Sequence, residues 1–139
     1  MILEFFIIKN KICKYFSKIS QKENEKVLDL GCGNAPYYHK YVKGKLICLD
    51  ITKTKKIEVL ADADSLPFKP DSFDKVISFN SYYYFKNPFN VASDIAGILK
   101  KDGKLIMVVP FFYPIHDVPF DRYRFTEYGL RNILEKDFR

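Results

Sequence analysis

The sequence of 139 residues is informative first for what it lacks. Its three cysteines, Cys13, Cys32 and Cys48, include no Cys-x-x-Cys pair. An odd count without metal-ligand spacing argues for reduced thiols in a cytoplasmic compartment, and no metal is expected. There is no low-complexity tract and no internal repeat. The first apolar stretch is too short to span a bilayer. It carries Glu4, and no small-residue cleavage site follows it, so a secretory leader is not expected. No RNA-binding motif accompanies the basic residues, which leaves nucleic acid a minor option. No catalytic triad is visible.

What remains fits one globular domain over 1–139, with enough chain for a single core. Hydrophobic residues make up 47% and aromatic residues 17%. The net charge of +6 is uneven. Residues 1–60 hold 12 lysines against six acids, whereas cations and acids balance over 61–139. Within 1–22, Phe5, Ile8, Ile12, Phe16 and Ile19 recur at helical spacing among Lys9, Lys11, Lys14 and Lys18. The plainer reading is an amino-terminal helix covering a sheet. The sharper one is a basic amphipathic helix, over 1–19, lying on a membrane surface or a partner.

Five short apolar runs read as strands, at roughly 26–30, 45–51, 57–61, 75–79 and 104–110. Most are continuous rather than alternating, as expected of strands buried on both faces of a parallel sheet. Asn87-Pro88 starts a helix with Phe89, Ala92, Ile95, Ala96 and Leu99 as its apolar stripe. Asp102-Gly103 stops that helix before the fifth strand. Thr126 caps a last helix at 127–136 that carries Leu130, Ile133 and Leu134 inward. This alternation predicts an α/β fold with a doubly wound, mainly parallel sheet.

The stretch VLDLGCGNAPYY, 27–38, sits at the end of the first strand. In such a sheet, ligands bind where strands end and the topology switches. Gly31 and Gly33 allow a sharp turn and close approach to the backbone, because they lack a Cβ. A plain tight turn would use them too. Asp50, however, ends the second strand 17 residues after Gly33, where a carboxylate can accept from both ribose hydroxyls of a nucleoside. A dinucleotide fingerprint requires a third glycine, and that position is Pro36. Asp29 would repel a diphosphate and favour a cationic amino group. Both residues disfavour a nicotinamide-dependent oxidoreductase.

VLDLGCGNA resembles motif I of the class I S-adenosylmethionine-dependent methyltransferases. CLDI matches the ribose-binding acid of that family. ADADSLPFKPDSFDKVIS is similar to a stretch of its small-molecule subgroup, the methyltransferase type 11 group. DIAGILKKDGKLIMVVP matches the next helix and fifth strand. The likeness runs from Lys26 to Phe138 with these segments in order. It implies a Rossmann-like methyltransferase fold over 26–110, S-adenosyl-L-methionine as cofactor, and transfer of its methyl group to a small-molecule acceptor. Alternatively, the chain is a cofactor-binding module without turnover.

The resemblance further implies roles for individual residues. Asp29 would lie near the methionine part, with Gly31 and Gly33 against the cofactor. Asp50 would bind the ribose, Asp62 the adenine amine and the Ala63 backbone the adenine ring, with Phe79 and Asn80 facing the cofactor. Tyr82, Tyr83 and Tyr84 fall where the family closes over the methyl donor; the alternative is packing against the next helix. The segment 111–139 follows the fifth strand on the ligand side. In it, His116 and Asp117 are candidate bases, and Asp121, Arg122 and Arg124, with Tyr83, are candidate acceptor contacts. The alternative is a loop held by its own ion pairs. The family sheet has seven strands, and the sixth would begin where these 139 residues stop. The fifth strand would then be an edge open to self-association.

Overall fold

The structure, a computed structural model, describes residues 11–18, 22–34 and 37–138. Five strands form one sheet: β1 (Lys26–Leu30), β2 (Lys45–Asp50), β3 (Val59–Leu60), β4 (Phe73–Phe79) and β5 (Leu99–Val108). Every neighbouring pair is parallel, in the order β3-β2-β1-β4-β5. The chain steps outward from β1 through β2 to β3, then crosses to β4 on the other side of β1. The switch point is therefore between β1 and β4, and the ends of these strands open into a crevice.

Both faces of the sheet are covered, which is why apolar residues cluster in its strands, as in Val27–Leu28, Val76–Ile77 and Leu105–Val108. Residues 11–18 form helix α1, Pro88–Ile98 form α2, and Glu127–Leu134 form α3. On one face Phe16 of α1 packs with Val27, Tyr38, Ile77 and Ile106. Its ring stacks on Tyr38 with centroids 4.7 Å apart. On the other face Val91, Ala92, Ile95 and Ile98 of α2 meet Leu28, Leu30, Leu49 and Val76, and Ile133 of α3 joins them. Adjacent residues Val27 and Leu28 thus serve opposite faces, the period-2 geometry of a strand. Burying each such side chain contributes about 1.5–3 kcal/mol.

Local chemistry sets the helix starts. The Asn87 side chain accepts from the Asn90 N–H at 3.2 Å, with Pro88 in the first turn. The Thr126 hydroxyl accepts from the Gly129 N–H at 3.0 Å. Both caps fall where the sequence predicts them.

Several boundaries differ from expectation. The third strand shrinks to two residues, and the fourth starts two residues early, at Phe73. Helix α2 ends at Ile98, and Leu99 pairs with Phe73 as the first residue of β5. Lys75 then pairs with Lys104, so Asp102-Gly103 lies in a bulge inside β5, with Asp102 at φ 64°. A turn dipeptide that reads as a helix stop serves here as a strand irregularity. Phe89 is 53% exposed, because the buried stripe runs through Val91 and Ala92 instead. Helix α3 ends at Leu134 rather than 136. Of the amino-terminal stripe, Phe5, Ile8 and Ile19 lie outside the described residues, as does Pro36. Phe16 faces the sheet, in keeping with the covering-helix reading. Among the described residues, no helix is long and apolar enough to cross a membrane.

Candidate functional site

A cavity of about 820 Å³ opens at the switch point. The glycine loop after β1 forms one wall, the tip of β2 and the loop after β3 a second, and the tip of β4 a third. The segment after β5 contributes Asp117, Phe120 and Arg122.

The glycine loop is locked to its neighbours. Gly31 has φ +72°, and a Cβ there would lie 2.5 Å from Cβ of Ser81. The Ser81 hydroxyl in turn donates to the Leu30 carbonyl at 2.6 Å. Gly31 is therefore required by the contact between the tips of β1 and β4. Gly33, with φ +56°, has open space where a Cβ would be, and its N–H donates to Asp50 Oδ2 at 2.8 Å. Asp50 Oδ1 accepts from the Thr52 N–H at 2.8 Å. The Asp50 carboxylate is thus held from two sides, and each oxygen retains a lone pair for a ligand.

Across the cavity, Asp62 Oδ1 accepts from the Asp64 N–H at 3.0 Å, which shapes the loop presenting Ala63. Asp64 accepts from the Lys86 and Asn87 N–H groups and ties this loop to the start of α2. Phe79 and Asn80 line the cavity at the tip of β4, with Asn80 at φ 52°. Asp117, on the opposite rim, also has positive φ, at 49°. Such conformations cost free energy except for Asn, Asp and Gly, and they cluster at ligand sites.

Other expected site residues are placed differently. Asp29 is fully buried and does not line the cavity. Its oxygens accept from the Tyr38 hydroxyl at 2.8 and 2.9 Å and contact His39 Nε2. Burial pushes this carboxyl above the usual carboxylate range, against the bonds from His39 and Tyr38. Within the tyrosine triplet, Tyr82 is a core residue whose hydroxyl bonds to the Pro88 carbonyl. Tyr83 is buried, and its carbonyl accepts from the Arg122 and Tyr123 N–H groups. Tyr84 is the member that lines the cavity. A short 3-10 turn over Tyr82–Tyr84 points successive side chains about 120° apart, so one of three can face the ligand.

The acceptor-side segment separates in the same way. The Asp121 side chain is buried, takes Arg124 in a two-pronged pair with Nη2 at 2.7 Å, and accepts from the His116 N–H at 3.0 Å. Arg124 also donates to the carbonyls of Tyr113 and Pro114. The Arg124 bonds hold the Asp121 carboxyl well below the usual range. These two residues clamp the loop rather than face the cavity. Arg122 and Asp117 do line it. His116 Nε2 lies 3.0 Å from the Tyr84 hydroxyl, and that hydroxyl donates to Asp117 Oδ2 at 2.6 Å. Burial first, then the Asp117 bond, push the Tyr84 phenol upward, so it stays a donor at neutral pH. Sequence reasoning missed the cavity residues Thr52, Ser81, Lys86 and Phe120, which carry no motif of their own.

Residues 28–107 match the model of the family described as methyltransferase domain, of type 11. The chain belongs to that methyltransferase family. Among curated relatives, it is 32% identical over 146 aligned residues to the uncharacterized protein MJ1252 of Methanocaldococcus jannaschii. That alignment covers 96% of this chain and 53% of the relative. It is 37% identical over 92 residues to the human mitochondrial protein named arginine-hydroxylase NDUFAF5, covering 57% of this chain and 27% of that one. The chain thus spans about half the length, or less, of the curated relatives it matches. A similar solved structure is the protein described as a methyltransferase in complex with the Haloferax volcanii Trm112 methyltransferase activator. It has a TM-score of 0.72 and 27% identity, over 89% of this chain and 66% of that chain. The methyltransferase family and Rossmann-like fold implied by motif I, CLDI and the LPF stretch are thereby met.

Proposed function

We propose that this methyltransferase domain binds S-adenosyl-L-methionine and transfers its methyl group to a small-molecule acceptor. The observation that carries the reading is the Asp50 carboxylate, held by Gly33 and Thr52 at the mouth of the cavity with acceptor capacity to spare. In this reading Asp50 takes the ribose hydroxyls. Asp62 and Ala63 take the adenine, and Gly31, Gly33, Phe79 and Asn80 shape the wall around the cofactor. The cofactor supplies an electrophilic methyl on a sulfonium. The protein's own contribution is to position, orient and exclude water.

Asp29 acts from below: it braces the loop through Tyr38 and His39 rather than touching the ligand. Tyr84 presents its ring to the cavity, where an aromatic face favours a sulfonium by about 0.5–2 kcal/mol. Arg122 and Asp117 are the polar groups available to an acceptor. His116 meets Asp117 at the Tyr84 hydroxyl, and Asp117, which lines the cavity, serves as a base for acceptors that must lose a proton.

Calorimetry with S-adenosylmethionine, S-adenosylhomocysteine and NAD tests the reading. Binding of both sulfur ligands without NAD is expected. Tight NAD binding without either would overturn it. A second reading, a cofactor-binding module without turnover, rests on β5 standing at the edge of the sheet among the described residues. Transfer of labelled methyl from the cofactor to any acceptor excludes it.

A further inference from the structure

Beneath the glycine loop lies a group of side chains that the cofactor reading does not use. A carboxylate oxygen of Asp29, a ring nitrogen of His39 and Sγ of Cys48 all lie within 4.8 Å of one another. They come from the end of β1, the 3-10 turn His39–Tyr41 and the middle of β2. Cys32 lies in the glycine loop above them, its thiol donating to the Gly33 carbonyl at 3.7 Å. Both cysteines are buried and free.

We propose that Asp29, His39 and Cys48 form a binding site for a zinc-class divalent ion, with a water molecule taking the fourth position. The donor set decides the class of metal. Imidazole, thiolate and one carboxylate suit zinc, whereas magnesium and calcium require oxygen ligands. Zinc bonds of about 2.0–2.3 Å place tetrahedral donors about 3.4–3.8 Å apart. Cys48 needs to approach by at most about 1 Å to reach that spacing, while the close Asp29–His39 contact opens to admit the ion.

Three further features fit. The Tyr38 hydroxyl bonds to both Asp29 oxygens, so it still orients the carboxylate when a metal takes the oxygen beside His39. One carboxylate and one thiolate balance a divalent charge, which suits a buried position. On binding, the Cys48 thiol gives its proton to solvent and His39 ligates through an unprotonated nitrogen. Access exists from two sides: Cys32 borders the cavity, and the His39 side chain is 16% exposed.

The position gives the site a consequence. Asp29 stands two residues before Gly31, and Gly33 holds Asp50. A metal below would fix the loop that orients the ribose-binding carboxylate. The readouts of the test concern metal and thiols alone, so their failure leaves the cofactor reading standing.

The purified chain, kept reduced, is loaded with zinc, desalted and analysed for metal by mass spectrometry, and separately titrated with cadmium. About one ion per chain is expected, with the absorbance of a thiolate–cadmium bond. Cys48→Ser should abolish both signals, and Cys13→Ser should retain them. Should Cys48→Ser fail to fold, alkylation of the unaltered protein decides. Zinc must slow modification of Cys48 and leave Cys13 unchanged. A folded wild-type chain that retains no zinc, a Cys48→Ser variant that binds as well as wild type, or thiols indifferent to zinc would each overturn the site.

Discussion

The Gly33 N–H donates to the Asp50 carboxylate at 2.8 Å, joining the end of β1 to the end of β2 across 17 residues of sequence. The glycine loop and the acid are therefore one unit. The loop orients the carboxylate, and the carboxylate fixes the loop. With Thr52 on its other oxygen, the side chain is oriented before any ligand arrives. Orientation in advance lowers the entropy that binding must offset.

Asp50→Ala is expected to weaken S-adenosylmethionine binding by several-fold to about a hundred-fold, since charge-assisted hydrogen bonds contribute about 1.5–3 kcal/mol each. Calorimetry reads the loss. Unchanged affinity in a folded variant would remove Asp50 from the ribose site.

Gly31→Ala and Gly33→Ala separate packing from ligand approach. At position 31 the added Cβ meets Ser81 at 2.5 Å in addition to the strained φ, so the loss of stability in urea should exceed that at 33. At position 33 only the left-handed conformation opposes the change, at about 1–2 kcal/mol. Gly33→Ala should instead show its larger effect on cofactor affinity. Equal stability losses would contradict the contact between the tips of β1 and β4.

His116→Ala and Arg122→Ala should leave cofactor affinity nearly intact while lowering turnover or acceptor binding. Both residues follow β5, away from the glycine loop. Loss of cofactor binding with catalysis retained would make the segment a cofactor lid.

The Asp121–Arg124 clamp sets a pH dependence. Arg124 lowers the Asp121 carboxyl in the folded chain, so the charged form is favoured by folding. That contribution is fully present above the ordinary Asp value of about 3.9 and is lost as pH falls from there through the depressed value. Amide exchange over 113–124, taken relative to the rate of an unstructured chain at the same pH, should therefore stay constant near neutral pH and rise only in strong acid. Arg124→Ala should raise it at neutral pH as well. An exchange profile that is flat through acid in the unaltered chain would refute the clamp.

β5 carries Leu105, Ile106, Met107 and Val108 along one edge of the sheet, and the segment beyond exposes Phe112 at 95%. An apolar edge of this kind recruits other strands. The chain of 1–139 is expected to self-associate in light scattering. A stable monomer with fast amide exchange along 104–108 would defeat the expectation.

Much of this protein was legible without coordinates. Mostly apolar runs without a polar–apolar alternation point to strands buried on both faces, the pattern of a parallel sheet covered by helices. Asn87-Pro88 and Thr126 announce their helices because capping is settled within four residues. Gly31, Gly33 and Asp50 announce a ligand site because a turn that tolerates no Cβ and an acid at the next strand end are local requirements. Asp102-Gly103 misled for the same reason: a dipeptide that turns the chain does so in a helix stop or in a strand bulge, and pairing with β4 selects between them.

Tertiary structure alone decided which way side chains face. Nothing local separates Tyr83 from Tyr84, or Asp121 from Arg122. The turn at Tyr82–Tyr84 and the two-pronged Arg124 bond bury one of each pair and turn the other to the cavity. Asp29 reads as a ligand contact by its place beside Gly31, yet the packing of Tyr38 and His39 draws it under the loop. Asp29 and Cys48 have no spacing that suggests a shared site, because β1 and β2 are brought side by side only by the sheet. Local sequence sets backbone conformation through propensity and capping. Orientation and long-range proximity come from which surfaces are buried against each other, and that is settled only when the whole sheet is assembled.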